Sequence, residues 1–233
     1  MTHLVVFDVD GTLVDSQNMI VEAQRRTFEA HGLPVPDRTR ALSIVGLSLP
    51  EAFIALAGQD APVAALVNTY KQMFQELRHD PAFAEPLYPG VAMVLESLAA
   101  RPDITLAIAT GKSRRGVDHM LARHGFTDMF ASIQTADDAP SKPHPGMLLQ
   151  AMRATGAMPD ATVMVGDSTF DMLMSRAAAV RAIGVSWGYH APALLREAGA
   201  ATILEQISAL PALLAGHATV GDDAAEGMAQ GGL

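Results

Sequence analysis

Beyond Gly90 the chain alternates short apolar runs with stretches of helical spacing, and this rhythm limits the possible folds more than any other feature. Helical patterns over Val91 to Ala100, Ser113 to His124, Gly146 to Thr155, Thr169 to Ala179 and Ala191 to Ala198 separate five apolar runs. Those runs are Ile104 to Ala109, Ala131 to Gln134, Thr162 to Val165, Ala182 to Val185 and Ala201 to Ile203, and a last helix reaches Ala215. Strand, helix and strand joined by right-handed crossovers build a parallel sheet with helices on both faces. Leu4-Val5-Val6-Phe7 is short, β-branched and continuously apolar, as a strand covered on both faces must be. The expected fold is therefore α/β, a doubly wound parallel sheet.

Between Asp15 and Pro89 no convincing strand occurs. Asn18 to His31 places Ile20, Ala23, Thr27 and Ala30 near a period of 3.6, and Arg38 to Val45, Pro50 to Ala57 and Pro62 to Leu77 also carry helical spacing. Such a segment is long for a link between two strands, so it reads as an inserted all-helical subdomain. The expected division is a core of residues 1–15 and 87–216, a helical insertion over 16–86, and a tail over 217–233. The tail is rich in Gly, Ala and acid with little to bury, and is expected to be mobile.

Composition excludes several partners. A net charge of -9 lacks the basic field that a nucleic-acid backbone requires, whereas a small phosphate ester needs only a local cationic pocket. No cysteine is present, which removes disulfides, thiolate metal sites and a cysteine nucleophile. Asp8 and Asp10 interrupt the first apolar stretch too early for a signal peptide, and no run approaches membrane-spanning length. A cytoplasmic location, no membrane partner and a monomer or homodimer are the expectations.

Four strand ends carry polar signals. Asp8-Val9-Asp10-Gly11-Thr12 follows the first apolar run and delivers two carboxylates to a strand tip, where ligands of parallel sheets gather. Two buried carboxylates raise each other's cost of ionising, so something cationic should sit beside them. Alternatives are an acidic β-turn, since Asp-Gly is a common turn signal, and a calcium loop, which lacks its third carboxylate and closing Glu here. Thr110-Gly111-Lys112-Ser113 offers a hydroxyl and consecutive N–H groups to an anion, or simply a helix cap. Ser141-Lys142-Pro143-His144-Pro145 holds a lysine between stiffening prolines, although lone lysines are mostly solvated. Gly166-Asp167-Ser168-Thr169-Phe170-Asp171 gives another pair of acids, which can also cap a helix. Asp8 and Asp167 on neighbouring strands would form an all-oxygen site suited to Mg²⁺.

This ordered set, Asp8-Val9-Asp10-Gly11-Thr12, Thr110-Gly111, Lys142-Pro143 and Gly166 to Asp171, resembles the haloacid dehalogenase superfamily over residues 4 to about 215. The insertion is similar to that superfamily's C1 cap, and the phosphoglycolate phosphatase-like hydrolases are the nearest subgroup. The resemblance implies a Rossmann-like core and a Mg²⁺-dependent phosphatase acting on a small phosphorylated metabolite. It implies Asp8 as the nucleophile that forms an aspartyl-phosphate, and Asp10 as the acid that protonates the leaving alkoxide and then activates water. Lys142 would shield the phosphate, while Thr110 and the N–H groups of Gly111, Gly11 and Thr12 would hold its oxygens. Metal ligands implied are Asp8, Asp167 and the backbone carbonyl of Asp10. Asp171 would act through water or by orienting Lys142.

Within the superfamily, Asp10 argues against dehalogenation, and Lys71, the one lysine of the cap, sits on an ordinary helix rather than as a phosphonate-cleaving lysine. A β-phosphoglucomutase-like or sugar-phosphatase activity remains an alternative, but Gly46-Leu47-Ser48-Leu49 stands where mutases usually carry a cap arginine. A non-catalytic phosphometabolite-binding module is the alternative of another class. Substrate choice is expected to rest on Ser16, Met19, Gln24, Gly46, Leu47 and Ser48, with Ser186 to His190 bordering the pocket. Trp187 is expected to pack, His190 to lie at the surface, and His144 to be structural.

Overall fold

The computed structural model describes residues 3–218. In chain order its elements are β1 (His3–Phe7), α1 (Gln17–Ala30), α2 (Arg38–Leu42), α3 (Leu49–Ala57), α4 (Val63–Leu77), α5 (Val91–Ala99), β2 (Ile104–Ala109), α6 (Arg114–His124), β3 (Ser132–Gln134), α7 (Gly146–Thr155), β4 (Thr162–Gly166), α8 (Thr169–Ala177), β5 (Arg181–Val185), α9 (Pro192–Ala198), β6 (Thr202–Leu204) and α10 (Leu210–Ala218). The strands form one sheet in the order β3-β2-β1-β4-β5-β6, and every pairing is parallel. The doubly wound sheet expected from the alternating pattern is what the chain adopts.

Apolar residues cover both faces of this sheet because successive side chains of a strand point to opposite sides. Val5 and Phe7 join Leu106, Ile108 and Ile183 in one cluster that includes Val94 and Leu98 of α5 and Val117 and Leu121 of α6. Leu4 and Val6 join Ala107 and Met164 in the opposite cluster, with Met147, Leu148 and Ala151 of α7. Each fully buried side chain of this size contributes about 1.5–3 kcal/mol. That accounts for the unbroken apolar run Leu4 to Phe7 in the central strand.

Helices α1 to α4 build a separate cluster of their own, in which Phe28, Phe53, Tyr70 and Phe74 form a chain of aromatic contacts with centroids 5.8–6.0 Å apart. Helix α2 is shorter than its spacing predicts. It ends at Leu42, since β-branched Ile44 and Val45 leave the helix for a tight bridge between Val45 and Leu47. Helix α8 also stops early, at Ala177, where Ala179 takes a left-handed φ of 55°. Of the tail expected over 217–233, the part beyond Ala218 lies outside the described residues.

Strand order decides where a ligand can sit. The chain steps from β1 outward to β2 and β3, then returns to place β4 on the other side of β1. At such a switch point the connections diverge and leave a crevice beyond the carboxyl ends of the strands. Phe7 pairs with Val165 across β1 and β4, and the Asp8 N–H donates to the Val165 carbonyl at 2.9 Å. Asp8 and Asp167 therefore leave the sheet side by side at that crevice.

Candidate active site

Three carboxylates meet at this point. Asp8, Asp167 and Asp171 are buried, and an oxygen of each lies within 4.8 Å of the others. One ammonium faces them: Lys142 Nζ is 2.6 Å from Asp171 Oδ1 and 3.1 Å from Asp8 Oδ1. The lysine is 1% exposed, which settles the choice between a solvated and a buried side chain. Burial lowers the basicity of Lys142, but Asp171 and Asp8 more than reverse that, so the amine stays protonated.

Asp171 is fully engaged. Its Oδ2 accepts from the backbone N–H of Ser168 at 3.0 Å and from the Ser168 hydroxyl at 2.7 Å, closing a capping box on α8 while Oδ1 accepts from Lys142. It orients the lysine and starts the helix at once. Asp167 accepts from Thr12 Oγ1 at 3.1 Å and from the Tyr189 N–H at 2.8 Å. Asp8 differs, because its Oδ1 lies near Lys142 but off the hydrogen-bonding direction and has no hydrogen-bond partner.

A buried carboxylate oxygen without a hydrogen bond is costly. Burial is the main reason the Asp8 carboxyl is pushed up to about 7, partly offset by Lys142 and reinforced by Asp171. The Asp167 carboxyl is also held well above its ordinary range, by burial first and then by Asp8 and Asp171. Fully ionised, the cluster would carry three negative charges against the single positive charge of Lys142. An all-oxygen, net-negative, buried donor set with one oxygen lacking a partner fits a divalent cation such as Mg²⁺.

Asp10 points elsewhere. Its Oδ1 accepts from Lys112 Nζ at 2.9 Å and from the Ser16 hydroxyl at 2.7 Å. Lys112 also donates to Glu85 Oε1 at 2.9 Å, and its ammonium lies 5.1 Å from the centroid of the Phe74 ring. The pull of Asp10 and Glu85 outweighs the burial of Lys112 and keeps it charged. Ser16 is linked in turn to the Tyr189 hydroxyl, 3.0 Å away. The two acids two residues apart thus occupy distinct environments: Asp8 beside the other carboxylates, Asp10 held by an amine and a hydroxyl. The sequence presents Lys112 only as part of an anion-holding turn and Tyr189 only as part of a loop bordering the pocket, and Glu85 stands in no motif.

The turn after β1 depends on Gly11, which has a φ of +84° and whose absent Cβ would stand 2.2 Å from Asp167 Oδ2. Thr110 and Gly111 follow β2 on the other flank. A Cβ on Gly111 would fall 2.6 Å from the Gly46 carbonyl and 2.5 Å from that of Leu47, so the loop between α2 and α3 rests on this backbone. The Ser48 N–H also donates to Ser141 Oγ at 2.8 Å, pinning the same loop to the core.

Among the proposed specificity residues, Gln24, Gly46 and Leu47 line a cavity of about 400 Å³ that reaches Asp8, Asp10, Thr110 and Gly111. Met19 is packed in the helical cluster, Ser16 holds Asp10, and Ser48 docks the loop. Trp187 packs on Tyr88 and donates to the Thr12 carbonyl at 3.1 Å. His190 departs from its expected surface position. It is half-buried, accepts from the Thr169 N–H at 3.1 Å through Nδ1, and places Nε2 3.1 Å from the Ser43 carbonyl, so it ties α8 to the end of α2. His144 is structural, accepting from the Gly146 N–H at the start of α7.

Residues 5–185 match the family model described as haloacid dehalogenase-like hydrolase. The chain belongs to that family. It is 38% identical over 214 residues to a probable phosphatase IndB from Dickeya dadantii, covering 89% of this chain and 91% of the relative. A phosphoglycolate phosphatase from Agrobacterium fabrum is 33% identical over 195 residues, covering 81% of this chain and 82% of the relative. A haloacid dehalogenase-like hydrolase of Bacteroides fragilis superposes with a TM-score of 0.83 at 27% identity, covering 90% of this chain and all of that one. This haloacid dehalogenase-like hydrolase is an enzyme of the family's phosphatase branch. Among its described residues no helix is long and apolar enough to cross a membrane.

Proposed function

We propose that the enzyme hydrolyses a small phosphomonoester in two steps through an aspartyl-phosphate on Asp8, in the cytoplasm. The reading rests on one observation: Asp8, at the end of the central strand, lines the cavity and keeps a buried Oδ1 without a hydrogen bond 3.1 Å from Lys142. A nucleophilic carboxylate needs a free lone pair, a cationic neighbour and a place in the substrate cavity, and the Asp8 side chain combines the three. Asp8 would attack phosphorus in line as the ester bond to the leaving oxygen breaks. Asp10, on the same turn but held by Lys112 and Ser16, would protonate that oxygen and then take a proton from the water that cleaves the acyl phosphate.

Mg²⁺ would be held by Asp8, Asp167 and the Asp10 backbone carbonyl, and when bound it neutralises charge on the nucleophile and the phosphoryl oxygens. Lys142 would place a second positive charge on the same oxygens, steadied by Asp171. Thr110 and the N–H groups of Gly111, Gly11 and Thr12 would complete the cradle. We assign residues 16–86 the role of a cap that covers the cavity and excludes water, the rest of the described chain serving as the core. No second-phosphate arginine stands in the Gly46 to Leu49 loop that meets Gly111, so hydrolysis is favoured over phosphate transfer between sugars.

Turnover of an aryl phosphate with Mg²⁺, with a chelator, and by Asp8→Asn tests the reading. Activity is expected only for the wild type with metal. Undiminished turnover by Asp8→Asn would remove Asp8 from the chemistry.

A further inference from the structure

Ser16 stands at the N-cap of α1, where a serine ordinarily accepts from the helix's first N–H groups, yet its side chain makes no cap. Forgoing a cap costs stability, and the buried hydroxyl is committed elsewhere. It donates to Asp10 Oδ1 at 2.7 Å and lies 3.0 Å from the Tyr189 hydroxyl.

Proton counting fixes the direction of this chain. A serine hydroxyl has one proton, and Asp10 receives it. The Ser16 N–H donates to the Tyr189 oxygen at 3.2 Å, so that oxygen already accepts. A phenol keeps its proton near neutral pH, and the Tyr189 O–H therefore donates to Ser16 Oγ. The order runs from Tyr189 through Ser16 to Asp10. Lys112 donates to the same Asp10 oxygen at 2.9 Å, and among the described residues nothing donates to Oδ2.

Tyr189 is also held to the opposite half of the site. Its N–H donates to Asp167 Oδ2 at 2.8 Å, and a Cβ on Gly188 would stand 2.1 Å from that of Asp167, so this backbone lies directly against the acid. Trp187, on the same loop, donates to the Thr12 carbonyl at 3.1 Å. The Tyr189 ring packs against the cluster built by α1 to α4.

We infer that Tyr189 is a positioning residue for proton transfer: through Ser16 it fixes Asp10 Oδ1 and leaves Oδ2 as the oxygen that gives the proton to the leaving group. As the ester bond breaks, its electron pair stays on the leaving oxygen and takes the Asp10 proton, while Tyr189 and Ser16 keep theirs. The inference rests on the phosphatase reading above, which makes Asp10 the acid.

The test compares benzyl phosphate, whose leaving alkoxide must be protonated, with para-nitrophenyl phosphate, whose leaving anion need not be. The readout is kcat/KM, which covers only the steps up to the aspartyl-phosphate. Tyr189→Phe keeps the ring and the N–H to Asp167. It is expected to lower kcat/KM for benzyl phosphate by about fivefold or more, while that for para-nitrophenyl phosphate and the Mg²⁺ concentration for half-maximal rate change by less than about twofold. Ser16→Ala is expected to show the same selectivity, and the double variant to lose no more than Ser16→Ala alone, because the tyrosine acts through the serine. Equal losses for both esters, no loss for either, or additive losses in the double variant would overturn the inference and leave the phosphatase reading standing. A wild type that cleaves para-nitrophenyl phosphate alone has no working acid to position and would overturn it too. A wild type that hydrolyses neither ester with Mg²⁺ would overturn both.

Discussion

Replacing Asp8 with Asn should stabilise the metal-free protein, and should do so more as pH rises. The folded chain holds the Asp8 carboxyl at about 7 against an ordinary 3.8, with burial as the main cause. A folded-state value above the unfolded one means that the stability associated with the protonated group is complete below the ordinary value and is lost as pH climbs through about 7. Integrated over that shift, the wild type forfeits about 2 kcal/mol by pH 5 and about 4 kcal/mol by pH 8, as order-of-magnitude figures. Asn does not titrate, and Lys142 keeps its 2.6 Å contact with Asp171. The Asn variant's advantage should therefore grow by about 2–3 kcal/mol between the two pH values, or about 5–10 °C in melting temperature for a chain of this size. Asp167 reinforces the sign, because Asp8 is one of the groups holding its carboxyl up. Thermal unfolding of both proteins in chelator at the two pH values measures the difference. An advantage that is constant with pH, or a wild type more stable at pH 8, would refute the argument that burial outweighs the Lys142 counter-charge at Asp8.

Other consequences follow from the same geometry. Lys142→Met strips the buried carboxylates of the ammonium that faces them among the described residues and should destabilise the metal-free protein by about 3–5 kcal/mol, a loss that urea titration would record and that Mg²⁺ should partly restore. Gly11→Ala puts a methyl group 2.2 Å from Asp167 Oδ2 at a φ of +84°, so activity should fall by more than about tenfold while far-ultraviolet circular dichroism stays native. Lys112→Met frees Asp10 and Glu85 from their shared partner and should lower kcat more than it changes KM for ethyl phosphate.

Much of this was legible in the sequence because the relevant physics is local. A strand covered on both faces must be uniformly apolar, and Leu4 to Phe7, Ile104 to Ala109 and Thr162 to Val165 announce themselves accordingly. The motif residues stand at strand ends, so placing the strands places Asp8, Thr110 and Asp167. The Asp10, Lys112 and Glu85 cluster was not legible, since its members are 102 and 27 positions apart and Glu85 lies in a linker without periodicity. His190 was misplaced for the same reason: its partners Thr169 and Ser43 are brought to it by folding, 21 and 147 positions away. Helix α2 was overextended because apolar spacing continues through Ile44 and Val45 after the backbone has turned toward Gly111.

The central claim is that Asp8 carries the phosphoryl group. Acid quenching during steady-state turnover with Mg²⁺, followed by peptide mass analysis, tests it directly. The account predicts a phosphate adduct on the peptide spanning residues 3–16, localised to Asp8 and lost on mild alkaline treatment as an acyl phosphate must be. An adduct on any other residue, or rapid turnover with no adduct on Asp8, would contradict it.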